Sequence, residues 1–228
     1  MKTYPSIATE RFDSANFHIK YCLHFLKKYL SGSILEVGAG CGSFTKNYYN
    51  KKIRRVLLTE LDKKNLMSLK RKFKNFKNIK VTKNSIKNIK GKFNTILYFH
   101  VLEHIKNHRE ELTKARDKLK KNGHLVIIVP AGKKIYSNLD KAVGHYRRYE
   151  KKFFKKKLFN LERVCLYFLD GLGYLLYFLN KLFFKKEVFP SKFKIFIWDK
   201  CFTPLTIIFD FITNYTFGKC ILVVYKKC

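Results

Sequence analysis

A chain of 228 residues has the length of one ordinary α/β domain with room for a helical addition. Its 46% hydrophobic and 16% aromatic content, with only four prolines, excludes a long disordered tract and supplies ample apolar mass for a core. The 49 Lys and Arg against 16 Asp and Glu give a formal charge of +33, which attracts anions whether it reflects compositional drift or a selected basic surface.

The start, MKTYPSIATERFDS, has no apolar run of the kind a leader peptide carries. Residues 17–30 then read as a covering helix, within an N-terminal helical cover over 1–32. Short apolar runs follow at 33–37, 55–60, 79–82, 93–99 and 124–129, each bounded by glycine, asparagine or charge and separated by helical patterns. That alternation predicts βα units feeding a mostly parallel sheet. The helix after His108 sets Leu112, Ala115 and Leu119 on one face, and Asn122-Gly123 is its expected C-cap. Beyond Asn160, residues 161–168 and 220–225 read as two more strands forming an antiparallel edge hairpin around an aromatic helical insertion at 170–217.

The chemistry opens at Ile34-Leu35-Glu36-Val37-Gly38-Ala39-Gly40-Cys41-Gly42-Ser43-Phe44, a strand entering a glycine-dense turn and then a helix. Glycines there permit φ > 0 and close approach of a ligand, and a helix N-terminus offers N–H groups. The dinucleotide fingerprint G-x-G-x-x-G requires glycine where Ser43 stands, so a nicotinamide cofactor is disfavoured. About 20 residues further on, Glu60 stands where a sheet of this kind presents a carboxylate to a ribose diol, with Leu61 beside it. Asp62 is the alternative, but directly before a helix it reads as an N-cap.

LEVGAGCG resembles the first motif of class I S-adenosylmethionine-dependent methyltransferases. The resemblance implies S-adenosylmethionine as cofactor and a Rossmann-like, seven-stranded sheet with a reversed last strand, in one domain spanning 1–228. It implies that Gly38, Ala39, Gly40 and Gly42 lie against the amino acid part of the cofactor, that Glu36 helps hold its ammonium group, and that Glu60 takes the ribose. The family usually accepts the adenine amino group with an acidic residue after the third strand. Asn84-Ser85 stands there, and the asparagine carbonyl can still accept. Tyr98-Phe99-His100-Val101-Leu102-Glu103-His104-Ile105 resembles the N-V-L-E-H-I run of the superfamily, with His100 in place of asparagine. The backbone near Phe99 and His100 is expected to line the cofactor, while Glu103 and His104 shape the floor, cap a helix or sit in the core.

Val129-Pro130-Ala131, then Tyr136 and Asp140, then Gly144-His145-Tyr146-Arg147-Arg148-Tyr149 resembles a bacterial subgroup in which these elements recur in that order. Methyl transfer from a sulfonium needs an aligned acceptor and, for a protic one, removal of a proton. His145 is the candidate base, Arg147 or Arg148 the candidate holder of an anionic group, and Tyr149 the third member of the catalytic set. The run equally reads as a stiff aromatic and basic lid.

The six cysteines show no C-x-x-C pair or zinc spacing, so reduced thiols and no metal are expected. No stretch reaches the about 18 uninterrupted apolar residues that cross a bilayer, and a cytoplasmic location follows as an expectation. The acceptor is unidentified, a small molecule or a lipid-linked intermediate. Residues 172–184, followed by Lys185-Lys186, together with the helical spacing of Leu205, Ile208, Phe209 and Ile212, point to peripheral docking on an anionic membrane surface. A pocket cover or dimer interface accounts for the same pattern. The other class, an RNA methyltransferase or basic nucleic-acid-binding protein, asks for clustered arginines beside stacking aromatics, and these are not evident.

Overall fold

The structure, a computed structural model, describes residues 14–183 and 191–228, so most of the opening stretch and the end of the 172–186 apolar-basic run lie outside the described residues. Eight strands form one sheet in the order β3-β2-β1-β4-β5-β8-β7-β6. β1 (Gly32–Val37), β2 (Ile53–Thr59), β3 (Ile79–Thr82), β4 (Phe93–Phe99) and β5 (Leu119–Pro130) run parallel. β8 (Cys220–Lys227) is antiparallel to β5 and to β7 (Leu161–Leu169), and β6 (Lys157–Leu158) closes the edge. This is the Rossmann-like fold expected, with eight strands in place of seven. The extra strand is only two residues long, too short to leave a period in the sequence.

The central strands are buried on both faces, which is why they read as continuous apolar runs rather than alternating ones. Ile34, Leu58, Leu97, Val126, Leu222 and Val224 pack on one face against helix α1 (Asn16–His24) and the turn behind it. Leu35, Ile96, Tyr98, Ile127 and Val223 pack on the other, where Leu112 and Ala115 of α4 (His108–Asp117) reach the sheet. The other helices at this end of the fold are α2 (Ser43–Tyr48), α3 (Lys63–Lys72) and α5 (Asn138–Ala142).

Several expectations need correction. The covering helix stops at His24 and resumes only as a short 3-10 turn, Lys27–Tyr29. Asn122-Gly123 is not a helix cap. α4 ends at Asp117, so Leu119 opens β5 instead of lying on the helix face. The strand expected at 124–129 begins there, and the pair lies inside it, where the β4–β5 register shifts from Phe93↔Leu119 to Thr95↔His124. Asn122 has φ +59°, so the pair supplies the left-handed residue a bulge needs, the same backbone demand a cap makes.

The insertion between β7 and β8 contributes α6 (Gly171–Phe183), α7 (Lys192–Ile197), a π-turn (Trp198–Phe202) and α8 (Thr203–Ile212). Buried carboxylates tie it to α1. Asp199 accepts from the N–H of His18 at 2.9 Å and of Phe17 at 3.2 Å, capping the α1 terminus that Ala15 cannot cap itself. Asp210 accepts from the Tyr21 hydroxyl at 2.7 Å and from the N–H groups of Asp170 and Gly171 at 2.7 and 2.8 Å.

Candidate active site

Strand order reverses between β1 and β4, so the crevice beyond their carboxyl ends is where a sheet of this kind takes a ligand. The glycine turn occupies one lip. Gly38, Gly40 and Gly42 have φ of +68°, +56° and +78°, conformations open to glycine and strained for other residues. Two of the three are also packed tight. A Cβ on Gly38 would stand 2.7 Å from Val101 Cγ2, and one on Gly42 2.6 Å from Phe73 Cε2.

The turn's amides are largely satisfied from within. Gly38 N–H donates to the Thr59 hydroxyl (3.3 Å), Ala39 N–H to the Thr59 carbonyl (2.9 Å), Gly40 N–H to Glu60 Oε2 (2.9 Å) and Gly42 N–H to the Ala39 carbonyl (2.9 Å). These four therefore do not form the open nest that anchors a pyrophosphate. Glu60 also accepts from Asp62 N–H through Oε1 at 2.8 Å, and burial raises its pKa against these backbone bonds. Each oxygen keeps a lone pair, so the carboxylate can still accept both hydroxyls of a vicinal diol. Leu61 is exposed beside it, and Asp62 is the N-cap of α3, accepting from Asn65 N–H at 2.9 Å. Asn84 is exposed and Ser85 half-buried after β3.

Glu36 lies buried at the end of β1. One of its oxygens accepts from the Thr45 hydroxyl at 2.6 Å and the Tyr48 hydroxyl at 2.7 Å, tying α2 to the sheet. Burial pushes its carboxyl up to about 7 against those two bonds. On the other lip the Phe99 ring stacks on Phe44, centroids 4.3 Å apart, and gives the crevice an aromatic floor. His100 follows with φ +55°, its N–H donating to the Ile128 carbonyl. Burial, reinforced by nearby His18 and His145, lowers its pKa to about 3, so the ring is neutral.

The segments flagged after β5 assemble against the end of β4. Tyr149 bridges to Ala131, fastening the G-H-Y-R-R-Y run to the V-P-A run. His145 is held from several sides: its N–H donates to the Asp140 carbonyl, its own carbonyl accepts from the Tyr136 hydroxyl at 2.7 Å, and its Nδ1 lies 2.7 Å from Asp140 Oδ1. The His145 hydrogen bond and the Arg148 charge hold the Asp140 carboxyl below its usual range, although burial alone would raise it. A carboxylate only accepts, so Nδ1 carries a proton toward Asp140, and in the neutral ring Nε2 then presents its lone pair.

That Nε2 lies 3.8 Å from Glu103 Oε1, which is also 3.8 Å from His100 Nδ1. Glu103 is fully buried, and neither carboxylate oxygen has a hydrogen-bond partner among the described residues. Burial pushes it up to about 7 against the opposing influence of His145 and Arg148.

The structure does not bring the whole predicted catalytic set to one place. Arg147 donates to the Ile105 carbonyl at 2.6 Å and the Lys106 carbonyl at 3.0 Å. Tyr149 is buried, donating to the Leu102 carbonyl and lying 2.9 Å from His108 Nδ1. Both pin the loop to the segment after β4. Arg148 is buried as well, its Nε 2.9 Å from Asp140 Oδ1 and its guanidinium over the Tyr177 ring of α6. An anion-holding arginine is thus replaced by arginines that build the loop. Sequence reasoning left Asp140 without a role, although the Ser137-x-x-Asp140 capping box was a local signal for its ordered position. It also missed that donor atoms of Glu103, His104 and His145, and separately of His18, His100 and Cys220, fall within 4.8 Å of one another, because each group is drawn from distant segments.

The fold, the glycine turn and the carboxylate after β2 define a methyltransferase domain, and a family model of that description matches residues 15–166. The chain belongs to the methyltransferase domain family and is a methyltransferase. No curated protein matches the sequence. Among solved structures, the N-methyltransferase NodS from Bradyrhizobium japonicum WM9, in complex with S-adenosyl-L-homocysteine, is 15% identical with a TM-score of 0.61, covering 95% of this chain and 90% of that one. Coclaurine N-methyltransferase bound to N-methylheliamine and S-adenosylhomocysteine is 16% identical with a TM-score of 0.61, covering 92% of this chain and 72% of that one. At such identities the likeness concerns the fold.

Proposed function

We propose that the protein transfers a methyl group from S-adenosylmethionine to a protic acceptor, a small molecule or lipid-linked intermediate, with His145 removing the acceptor's proton. The observation that carries this reading is the line Asp140–His145–Glu103, ordered by the loop and set at the carboxyl end of β4. The glycine turn with its φ > 0 backbone and the two-sided Glu60 carboxylate suit this cofactor and, with the turn amides bonded internally, suit a pyrophosphate poorly. Similarity to solved methyltransferases holding the demethylated product supports the same choice.

Bound there, the cofactor supplies an electrophilic methyl carbon on a sulfonium. Gly38, Ala39, Gly40 and Gly42 hold its amino acid end, Glu60 and Leu61 its ribose, and Asn84 and Ser85 its base. Glu36, which orders α2 through Thr45 and Tyr48, would help hold its ammonium group, and Phe99 and His100 would line the cofactor. Asp140 fixes the tautomer of His145, so Nε2 accepts the proton as the acceptor atom attacks. Glu103, buried 3.8 Å from both His145 Nε2 and His100 Nδ1 and neutral or charged at either side of about pH 7, is the polar group that faces the atom taking the proton. Arg147 and Tyr149 hold the loop in register with the end of β4.

Incubation with methyl-labelled S-adenosylmethionine and fractionated extract tests the proposal. Label is expected in the small-molecule or lipid fraction. Label confined to RNA would replace this reading with the nucleic-acid one.

A further inference from the structure

α8 is amphipathic with its faces reversed. It buries Thr203, Thr206 and Asp210 and leaves Leu205, Ile208, Phe211 and Ile212 exposed at 54%, 60%, 72% and 74%. α7 repeats the pattern in small, burying Ile195 while exposing Phe193 and Phe196, and α6 exposes Leu175, Phe178 and Leu179. Rolling α8 to hide its apolar side would break the three hydrogen bonds that Asp210 accepts and the Asp199 cap of α1 in the adjoining π-turn. The outward orientation is therefore built into the fold. An apolar surface of this extent, left bare by a chain of such high charge, marks an interaction face.

Charge selects the occupant. Lys192, Lys194 and Lys200 are exposed around this face, whereas Asp170, Asp199 and Asp210, the acids among the described residues of the insertion, are all buried. A second copy would bring an identical lysine rim and another +33 against the first. A bilayer carrying anionic headgroups complements both the apolar face and the rim. No helix among the described residues is long and apolar enough to cross a membrane, so the helices would lie in its interface. We propose that the insertion is a docking surface for an anionic lipid bilayer, lying flat with α8 and α7 in the headgroup region.

The test is flotation of the full chain with vesicles of phosphatidylcholine alone and of phosphatidylcholine with phosphatidylglycerol. The protein is expected to float with the anionic vesicles, and less so as salt shortens the screening length from about 10 Å at 0.1 M to about 3 Å at 1 M. Phe211→Ser with Ile212→Ser should lower the partition by about tenfold or more while leaving calorimetric cofactor binding and the melting midpoint unchanged. Lys192→Glu with Lys194→Glu, which keeps the apolar side chains, should lower partition to anionic vesicles only. Absence of flotation overturns the proposal, and so does equal partition to both vesicle types. A lipid-free dimer dispersed by the Phe211 and Ile212 substitutions would also overturn it and assign the face to a second copy.

Discussion

His145 and Asp140 form a pair whose members fail in different ways. His145→Ala is expected to lower kcat by about 10²–10⁴ with cofactor Kd unchanged, because it removes the proton acceptor and touches nothing on the glycine turn. Asp140→Asn keeps the size but frees the ring to take the wrong tautomer, so kcat should fall while the melting point also drops through the lost Arg148 pair. Steady-state kinetics beside calorimetry separates the two. A loss of activity that merely follows loss of folded protein would instead make the loop a lid. Glu103 leads to a prediction about pH. Its folded carboxyl titrates at about 7 against an ordinary 4.5, so the folded state holds a proton that the unfolded chain has released, and stability falls as pH rises between those values. The advantage of Glu103→Gln over wild type should grow across that window by on the order of 3 kcal/mol, measured by urea unfolding at several pH values. A pH-independent difference would contradict the buried, unpaired environment. At this scale the sequence reveals chemistry-bearing residues but not their partners. His145 stood out in an unusual run, whereas Glu103 acquires meaning only because β4 and the loop fold together. Arg147 and Arg148, adjacent and alike in sequence, diverge because one faces the carbonyls after β4 and the other Asp140.

The glycine turn is an element held by fit as much as by flexibility. Gly38→Ala places a Cβ against Val101 in a left-handed residue, and should destabilise by roughly 2–4 kcal/mol, combining the conformational cost with overpacking. Adding Val101→Ala should relieve the packing part and leave the conformational part. The double variant is then less destabilised than the sum of the singles by roughly 1–3 kcal/mol, and denaturant midpoints for the four proteins give the coupling directly. Additivity would show that Val101 does not limit the turn. Element boundaries were legible where polar residues bound an apolar run, as in β3 and β4, which begin and end where the runs do, but not in β5, whose first five residues, Leu119 to Gly123, are mostly polar. Asn122-Gly123 misled because a helix terminus and a strand bulge ask for the same φ > 0 residue. The helical spacing of the insertion was equally plain in α8. Its outward orientation was not, since that depends on Asp199 and Asp210 finding α1 and the start of α6 far along the chain.

At the scale of the whole molecule, the +33 charge favours anionic partners without naming one, and the fold hosts many chemistries on one frame. What narrows the function is the site: a turn whose amides are bonded internally, a carboxylate able to take a diol, and an ordered histidine beyond β4. Gly40→Val tests the turn independently, since a branched side chain at φ +56° should abolish cofactor binding. The most direct measurement is isothermal titration of the wild-type protein and Glu60→Ala with S-adenosylmethionine, S-adenosylhomocysteine and NAD. The wild type should bind the first two and give no heat with NAD, and Glu60→Ala should weaken the binding by roughly 1–3 kcal/mol, with about 1.4 kcal/mol for each tenfold in Kd. Wild-type protein that binds NAD while ignoring S-adenosylmethionine and its product would contradict the account.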